Sequence, residues 1–166
     1  MNIIIVGMPC SGKSTLGKIL SEKIGYSLID TDSVIENNEN MTIEEIFKKK
    51  GEEYFRFKEK ELVDEFINCS NTIIVCGGGL PIYNNNMKKL NEIGITVFLD
   101  VKLSEIYRRA MLLDDRPLLN NNLKETLENM YKRRIEIYRK AHIIIEGNEN
   151  AVDVILSTLE SSRYDI

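Results

Sequence analysis

Short apolar runs alternate with longer amphipathic segments along almost the whole chain. The apolar runs are rich in β-branched residues, which is typical of buried strands, and five are predicted, at residues 2–6, 26–29, 72–76, 95–99 and 143–145. The segments between them carry apolar residues at near-helical spacing and predict helices. Because strands and helices alternate, we expect an α/β fold in which a five-stranded parallel sheet has helices on both faces.

Turn and capping signals divide the rest of the chain into predicted helices. Gly25 is a natural end for the first helix, and Thr42 with Glu45 forms a capping box. Gly51 interrupts a mostly helical stretch, and Pro81 is predicted to start the helix after the third strand. The helices are predicted at residues 13–23, 33–71 with that interruption, 81–94, 104–110, 123–140 and 151–159. Residues 114–122 are polar and Asn-rich and indicate a loop.

The loop after the first strand carries the clearest chemical signal. Residues 7–14 read Gly-Met-Pro-Cys-Ser-Gly-Lys-Ser, the spacing of a phosphate-binding loop between a strand and a helix. Its glycines let backbone N–H groups approach an anion, Lys13 can reach the outer phosphates, and Ser14 can hold Mg²⁺. The alternative is a plain glycine turn with an exposed lysine. The predicted nucleotide-binding residues of this loop are Gly7, Pro9, Cys10, Ser11, Gly12, Lys13, Ser14 and Thr15.

The composition limits the classes of partner. A chain of 166 residues suits one domain with one core, and its net charge of −4 provides no broad basic surface for nucleic acid. No apolar stretch approaches the length of a membrane span. The three cysteines and the single His142 have no metal-binding spacing, which is typical of free thiols in a reducing cytoplasm. We therefore expect a cytoplasmic monomer that binds neither nucleic acid nor membranes.

Four further features lie where a parallel sheet could present them to a ligand. Asp30 and Asp32 follow the second strand, whose tip would face the ligand crevice, although aspartates also cap helices. Arg56 lies among aromatic residues and could bind a carboxylate, or it could be a solvated helix arginine. The glycines at 77–79 could admit a ligand or form a plain turn. Arg116 could close over phosphates or remain solvated.

These features favour a small-molecule kinase among the proteins that use a phosphate-binding loop. The chain lacks the Asn-Lys-x-Asp and Asp-x-x-Gly motifs of a GTPase, and motor or transporter ATPases are usually larger. Phosphoryl transfer requires a lysine, a metal ion, an arginine over the transferring group and a group that orients the acceptor. The sequence offers a candidate for each of these parts.

Six motifs in one order give the chain a resemblance to a known family. They are the phosphate-binding loop, Asp30-Thr31-Asp32, Phe55-Arg56, Gly77-Gly78-Gly79, Arg116-Pro117-Leu118-Leu119, and Arg134 with Tyr138 four residues later. In this combination the chain resembles shikimate kinase, and the resemblance spans nearly its whole length. It implies the fold of the nucleoside-monophosphate kinases, with a substrate-binding subdomain at about residues 33–61 and a lid at about 111–123. It also implies phosphorylation of the shikimate 3-hydroxyl by Mg-ATP, on the pathway to chorismate and the aromatic amino acids.

The same resemblance implies a role for each site residue. The implied catalytic residues are Lys13, Asp32 and Arg116, the implied metal-site residues are Ser14 and Asp30, and the implied substrate-binding residues are Asp32, Arg56, Gly77, Gly78, Gly79 and Arg134. Asp32 would orient and deprotonate the acceptor hydroxyl. Arg56 and Arg134 would bind the shikimate carboxylate. Arg109 would stack on adenine, and Arg116 would move with the lid toward the phosphates.

Two other classes of function remain open on the sequence. One is a related kinase on the same fold, such as a gluconate or nucleotide kinase. A nucleotide kinase needs a subdomain that binds a phosphate and a base, whereas Asp32, Arg56 and Arg134 suit a carboxylated polyol. The other is a nucleotide-binding regulatory module without catalysis, because a fold can outlive its activity.

Overall fold

A single parallel sheet forms the centre of the molecule. The computed structural model describes residues 1–113, 120–147 and 150–164. The strands are β1 (Asn2–Val6), β2 (Ser27–Asp30), β3 (Thr72–Val75), β4 (Gly94–Asp100) and β5 (Ile143–Glu146). They pair in parallel in the order β2-β3-β1-β4-β5. The predicted five-stranded parallel sheet is confirmed.

Helices follow every strand. They are α1 (Lys13–Ile24), α2 (Thr31–Glu39), α3 (Ile43–Lys50), α4 (Glu52–Glu65), α5 (Asn86–Ile93), α6 (Leu103–Leu113), α7 (Asn120–Tyr138) and α8 (Ala151–Tyr164), with a short 3₁₀ turn at Phe66–Asn68. The capping box at Thr42 and Glu45 and the break at Gly51 are both present. The helix α7 begins three residues earlier than predicted, and α8 continues to Tyr164 rather than ending at residue 159.

The predicted helix start at Pro81 is wrong, because α5 begins only at Asn86. Asn84 and Asn85 adopt left-handed backbone angles, with φ of 54° and 58°, a conformation that asparagine tolerates better than most residues. The Asn84 side chain donates to the Arg56 backbone oxygen at 3.2 Å, and the Asn86 side chain donates to that of Leu80 at 2.9 Å. These bonds stabilise turns over residues 80–85 in place of a helix.

Burial along β1 shows that helices cover both faces of the sheet. Successive side chains of a strand point to opposite faces, yet all five residues of β1 are buried. On one face α1 packs closely, since a β-carbon at Gly17 would come within 2.5 Å of the Val75 side chain. The apolar sequence of β1 therefore reflects its position as the central strand.

The sheet order determines where a ligand can bind. The strand β1 lies between β3 and β4. The chain builds β2 and β3 on one side of β1 first, and then β4 and β5 on its other side. In open parallel sheets this arrangement leaves a crevice at the carboxyl ends of the strands. The phosphate-binding loop starts at that end of β1.

Every helix that the structure describes is too short or too polar to cross a membrane.

Candidate active site

The backbone of the phosphate-binding loop leads into the N-terminus of α1. Gly7 has φ of 148° and lies so close to β4 that a β-carbon there would come within 2.9 Å of the Leu99 carbonyl oxygen. Gly12 has φ of 97° and occupies the N-cap position of α1. Neither position suits a residue with a side chain. The first-turn N–H groups of α1 and the loop N–H groups are consequently available to an anion.

Lys13 is buried inside this loop. Its Nζ donates to the Met8 carbonyl oxygen at 2.6 Å, and the residue is only 8% exposed. Burial lowers the pKa of Lys13 to about 8, although the negative charge of Asp32 opposes the shift. Phosphate oxygens would favour the charged form, so a bound nucleotide stabilises the ammonium that the empty loop disfavours.

Asp30 connects the phosphate-binding loop to α2. Its carboxylate accepts from the Ser14 hydroxyl at 3.0 Å and from the backbone N–H groups of Asp32 and Ser33 at 3.2 and 3.3 Å. Asp30 is therefore a helix cap and also a partner of the loop, and its role toward a ligand stays a prediction. A hydroxyl and a carboxylate side by side are oxygen ligands of the kind that Mg²⁺ prefers, and these two residues fit such an ion.

Asp32 lies in the first turn of α2, on the crevice side. Burial raises the pKa of its carboxyl above the ordinary value, the neighbouring Asp30 raises it further, and Lys13 opposes both. A carboxylate with a raised pKa is a better proton acceptor than a solvated one. Asp32 and Lys13 thus act on each other's pKa, as is expected of opposite charges that lie near one another.

The glycine triplet forms a floor on which three functional side chains lie. A β-carbon at Gly77 would collide with the Asp32 carboxylate, and one at Gly79 would collide with the Arg56 guanidinium. At Gly78 a β-carbon would come within 3.0 Å of Arg134 Nη1 and 3.1 Å of the Pro9 ring. We call residues 77–79 the glycine floor. It brings the two arginines, Asp32 and the phosphate-binding loop into one site.

Arg56 is held in place by several contacts. Its guanidinium donates to Glu59 at 2.7 Å and to Glu52 at 3.0 Å, and it lies 4.2 Å from the centre of the Tyr83 ring. The side chain is only 13% exposed. The alternative of a solvated helix arginine is therefore wrong. The fork of N–H donors is fixed beside Gly79, where a carboxylate could bind.

Glu59 is the site residue that the sequence interpretation missed. It is 1% exposed, it accepts from Arg56, and the charge of Arg134 also acts on it. Burial raises its pKa to about 7, with the bond from Arg56 opposing the shift. The signal was present, because Glu59 lies four residues after Phe55 and three before Leu62, within the apolar stripe of α4.

Arg134 reaches the floor from α7. It lies at Gly78, and Tyr138, one turn later in the same helix, donates from its hydroxyl to the Gly78 carbonyl oxygen at 2.6 Å. The Tyr138 ring stacks on Phe98 of β4 with a centroid distance of 5.1 Å. The two arginines thus approach the floor from helices that are far apart in sequence.

Arg109 contacts the phosphate-binding loop from α6. It donates to the Ser11 carbonyl oxygen at 2.9 Å and to Glu105 at 2.7 Å. An open cleft of about 780 Å³ lies beside it, lined also by Asp100 and Gly147. Thr15 is exposed in the first turn of α1. Arg116 and the rest of residues 114–119, in the middle of the predicted lid, lie outside the described residues, as do residues 148 and 149.

The site combines an anion cradle with a polar acceptor pocket. The cradle offers backbone N–H groups and one ammonium, and the acceptor pocket offers one carboxylate and two guanidinium groups on a glycine floor. Phosphoryl transfer depends on positioning and charge stabilisation, and this arrangement supplies both. A small anionic polyol is a suitable acceptor for such a pocket.

Comparison with known proteins identifies similar chains. The sequence model of a family described as shikimate kinase matches residues 9–162. A shikimate kinase of Clostridium botulinum (strain Langeland) is 56% identical over 146 residues, which cover 87% of this chain and 86% of the relative.

Solved structures agree with the sequence relatives. The shikimate kinase of Aquifex aeolicus superimposes with a TM-score of 0.86 at 36% identity, covering 98% of both chains. The shikimate kinase of Acinetobacter baumannii in complex with shikimate gives a TM-score of 0.85 at 32% identity, covering 99% of this chain and 93% of the other.

Proposed function

The chain belongs to the shikimate kinase family and phosphorylates the 3-hydroxyl of shikimate with ATP, and we propose specific roles for its residues in that reaction. The sequence alone left gluconate and nucleotide kinases open as alternatives, and the family assignment decides in favour of shikimate kinase. The glycine floor is the observation that carries the proposed roles. It gathers Asp32, Arg56 and Arg134 around one space beside the phosphate-binding loop.

On the nucleotide side, the loop backbone and Lys13 bind the β- and γ-phosphates. Lys13 exchanges its bond to the Met8 carbonyl oxygen for phosphate oxygens and stabilises the charge that develops during transfer. Ser14 and Asp30 would hold Mg²⁺, which supplies charge neutralisation between the phosphates when bound. Arg109 packs against the base, and Arg116 contributes from the lid at about residues 111–123.

On the acceptor side, Arg56 from α4 and Arg134 from α7 bind the shikimate carboxylate. Asp32 accepts a hydrogen bond from the 3-hydroxyl, aims its oxygen at the γ-phosphorus and takes its proton as the new P–O bond forms. The bond between the γ-phosphorus and the β,γ-bridging oxygen breaks at the same time, and ADP leaves with its electron pair. The raised pKa of Asp32 suits this step. Glu59 holds Arg56 in the orientation that meets the carboxylate. Residues 33–61 form the subdomain that carries Arg56 and Glu59.

A screen of acceptors tests the function. Purified protein is supplied with Mg-ATP and, in separate assays, shikimate, gluconate or a nucleoside monophosphate, and ADP release is followed by a coupled assay. We expect ADP release with shikimate alone. Turnover of gluconate without turnover of shikimate would overturn the assignment.

The cellular setting is also a proposal. The acidic net charge and the self-contained site support a monomer that acts in the cytoplasm without nucleic-acid or membrane partners. Sedimentation equilibrium of the purified protein measures its oligomeric state. A dimer mass across the concentration range would contradict the monomer.

A further inference from the structure

We propose that Tyr138 is a positioning residue for substrate binding. Its hydroxyl fixes the position of the Gly78 peptide relative to the Arg134 guanidinium. This inference rests on the proposed roles of Arg134 and the glycine floor. Tyr138 itself is buried beneath the floor and does not need to touch shikimate.

The ring of Tyr138 has a fixed position. It is fully buried and stacks on Phe98, which is itself fully buried in β4. A phenylalanine would fill this space equally well, and a buried hydroxyl is unfavourable unless it is hydrogen-bonded. The hydroxyl satisfies that requirement by donating to the Gly78 carbonyl oxygen at 2.6 Å.

The backbone of the floor explains why this bond is needed. The carbonyl oxygens of Gly77 and Gly79 accept from the backbone N–H groups of Leu80 and Ile82 at 3.1 and 3.0 Å. The carbonyl between them accepts from the Tyr138 side chain. Gly78 therefore depends on a residue from another element for the bond that its neighbours obtain within the turn.

A second hydroxyl holds the other end of the floor. The buried Thr31 side chain accepts from the Gly77 backbone N–H at 2.8 Å. Thr31 precedes Asp32 in α2, and Tyr138 follows Arg134 by one turn in α7. Each hydroxyl thus joins the floor to the helix that carries a functional side chain, although the two helices are distant in sequence.

Arg134 lies beside the same peptide. Residues four apart lie on one face of a helix, and a β-carbon at Gly78 would come within 3.0 Å of Arg134 Nη1, so the guanidinium and the Tyr138 hydroxyl both lie at Gly78. Burial raises the pKa of Tyr138 to about 12, and the charge of Arg134 acts in the opposite direction. Removal of the hydroxyl would free the peptide beside which the guanidinium lies.

Tyr138→Phe tests the proposal in the full-length protein. The variant keeps the ring and its stacking on Phe98 but leaves the Gly78 carbonyl without the hydroxyl. We expect the KM for shikimate to rise about 10-fold, because a displaced Arg134 weakens its charge-assisted bond to the carboxylate, while kcat and the KM for ATP change less than about 3-fold. The thermal shift produced by shikimate alone should fall in parallel, and this readout needs no turnover.

Tyr54→Phe is the matched control. Tyr54 also loses a hydroxyl that is hydrogen-bonded, to Glu39 at 2.9 Å, but it lies in α4 away from the floor. We expect this variant to lose stability without any change in the KM for shikimate. An unchanged KM in Tyr138→Phe, or equal changes in the KM for shikimate and for ATP, would overturn the proposal. If the wild-type protein failed to phosphorylate shikimate, the proposed function would be wrong instead.

Discussion

The two halves of the active site are built in different ways. The anion cradle of the nucleotide half is one continuous segment, residues 7–15, formed by the backbone conformation, and Asp30 and Arg109 contact it from other elements. The acceptor half is assembled from α2, α4 and α7 around the glycine floor, and its recognition groups are side chains. One half depends on local glycine geometry, and the other depends on the packing of distant helices.

This difference determines how each half responds to substitution. A segment that binds through backbone N–H groups is sensitive to changes in a few residues and tolerates changes elsewhere. A pocket formed by side chains from three helices depends on each contact that holds those side chains. The substitutions below separate the two halves by the kinetic parameter that changes.

The largest effect is expected in the nucleotide half, from Lys13→Met. Removing the ammonium that we propose meets the transferring phosphoryl group should lower kcat by about 1,000-fold or more. The fold should survive, because the pKa of Lys13, lowered to about 8 by burial, shows that its charge gains little from the folded environment. Coupled ADP release measures the first effect, and thermal unfolding measures the second. A variant that retained a tenth of wild-type turnover would remove Lys13 from the catalytic group.

In the acceptor half, Arg134→Ala should change substrate binding. Loss of a charge-assisted bond of about 1.5–3 kcal/mol corresponds to a rise of about 10- to 150-fold in the KM for shikimate. The KM for ATP should change little. Arg133→Ala, an exposed neighbour on the same helix, is the control and should leave both values unchanged. An equal response of the two variants would contradict the role of Arg134.

Substitutions in the glycine floor can test the roles of Asp32 and Arg56 separately. A methyl group at Gly77 would displace the Asp32 carboxylate, and one at Gly79 would displace the Arg56 guanidinium. Gly77→Ala should therefore lower kcat by about 10-fold, whereas Gly79→Ala should raise the KM for shikimate by about 10-fold with less effect on kcat. Steady-state kinetics of the two variants measures both. Identical kinetic changes in both would mean that the floor does not separate the two roles.

The sequence predicts the nucleotide half better than the acceptor half. The phosphate-binding loop is readable because its function lies in contiguous residues with a fixed spacing. Arg56 and Arg134 are 78 positions apart. Only a resemblance to known proteins could bring them together, because side-chain convergence depends on helix packing that spacing does not encode.

Two particular residues show where pattern alone failed. Pro81 suggested a helix start, but asparagine side chains that bond to Arg56 and Leu80 stabilise turns there instead. Glu59 looked like one of many charged residues in α4, although its place among apolar neighbours marked it as buried. The strands β1, β3 and β4 were predictable because each is an apolar run in the buried centre of the sheet. The edge strands β2 and β5 are partly exposed, and their β-branched or aromatic residues still marked them.

The remaining prediction concerns the stability of the acceptor half rather than a kinetic parameter. Burial raises the pKa of Glu59 from 4.5 to about 7, so the folded protein holds this proton more tightly than the unfolded chain does. The resulting contribution to stability is complete below about pH 4.5 and is lost as the pH rises through 7, a change of about 3 kcal/mol. Glu59→Gln does not titrate and should therefore gain stability relative to wild type between pH 5 and pH 8.

Urea unfolding at the two pH values measures this difference. Glu61→Gln, on the exposed face of the same helix, is the control and should show no such gain. If the difference in unfolding free energy between Glu59→Gln and wild type were the same at pH 5 and pH 8, burial in the site would not raise the pKa of Glu59. Such a result would leave the kinetic roles of the two halves untouched.

The most direct test of the proposed active site is a crystal structure of the protein with shikimate and ADP. We expect the shikimate carboxylate to lie within hydrogen-bond distance of Arg56 and Arg134, with its 3-hydroxyl at Asp32 and its ring over the glycine floor. A complex in which both arginines point into solvent, or in which Asp32 lies out of reach of the acceptor hydroxyl, would contradict it.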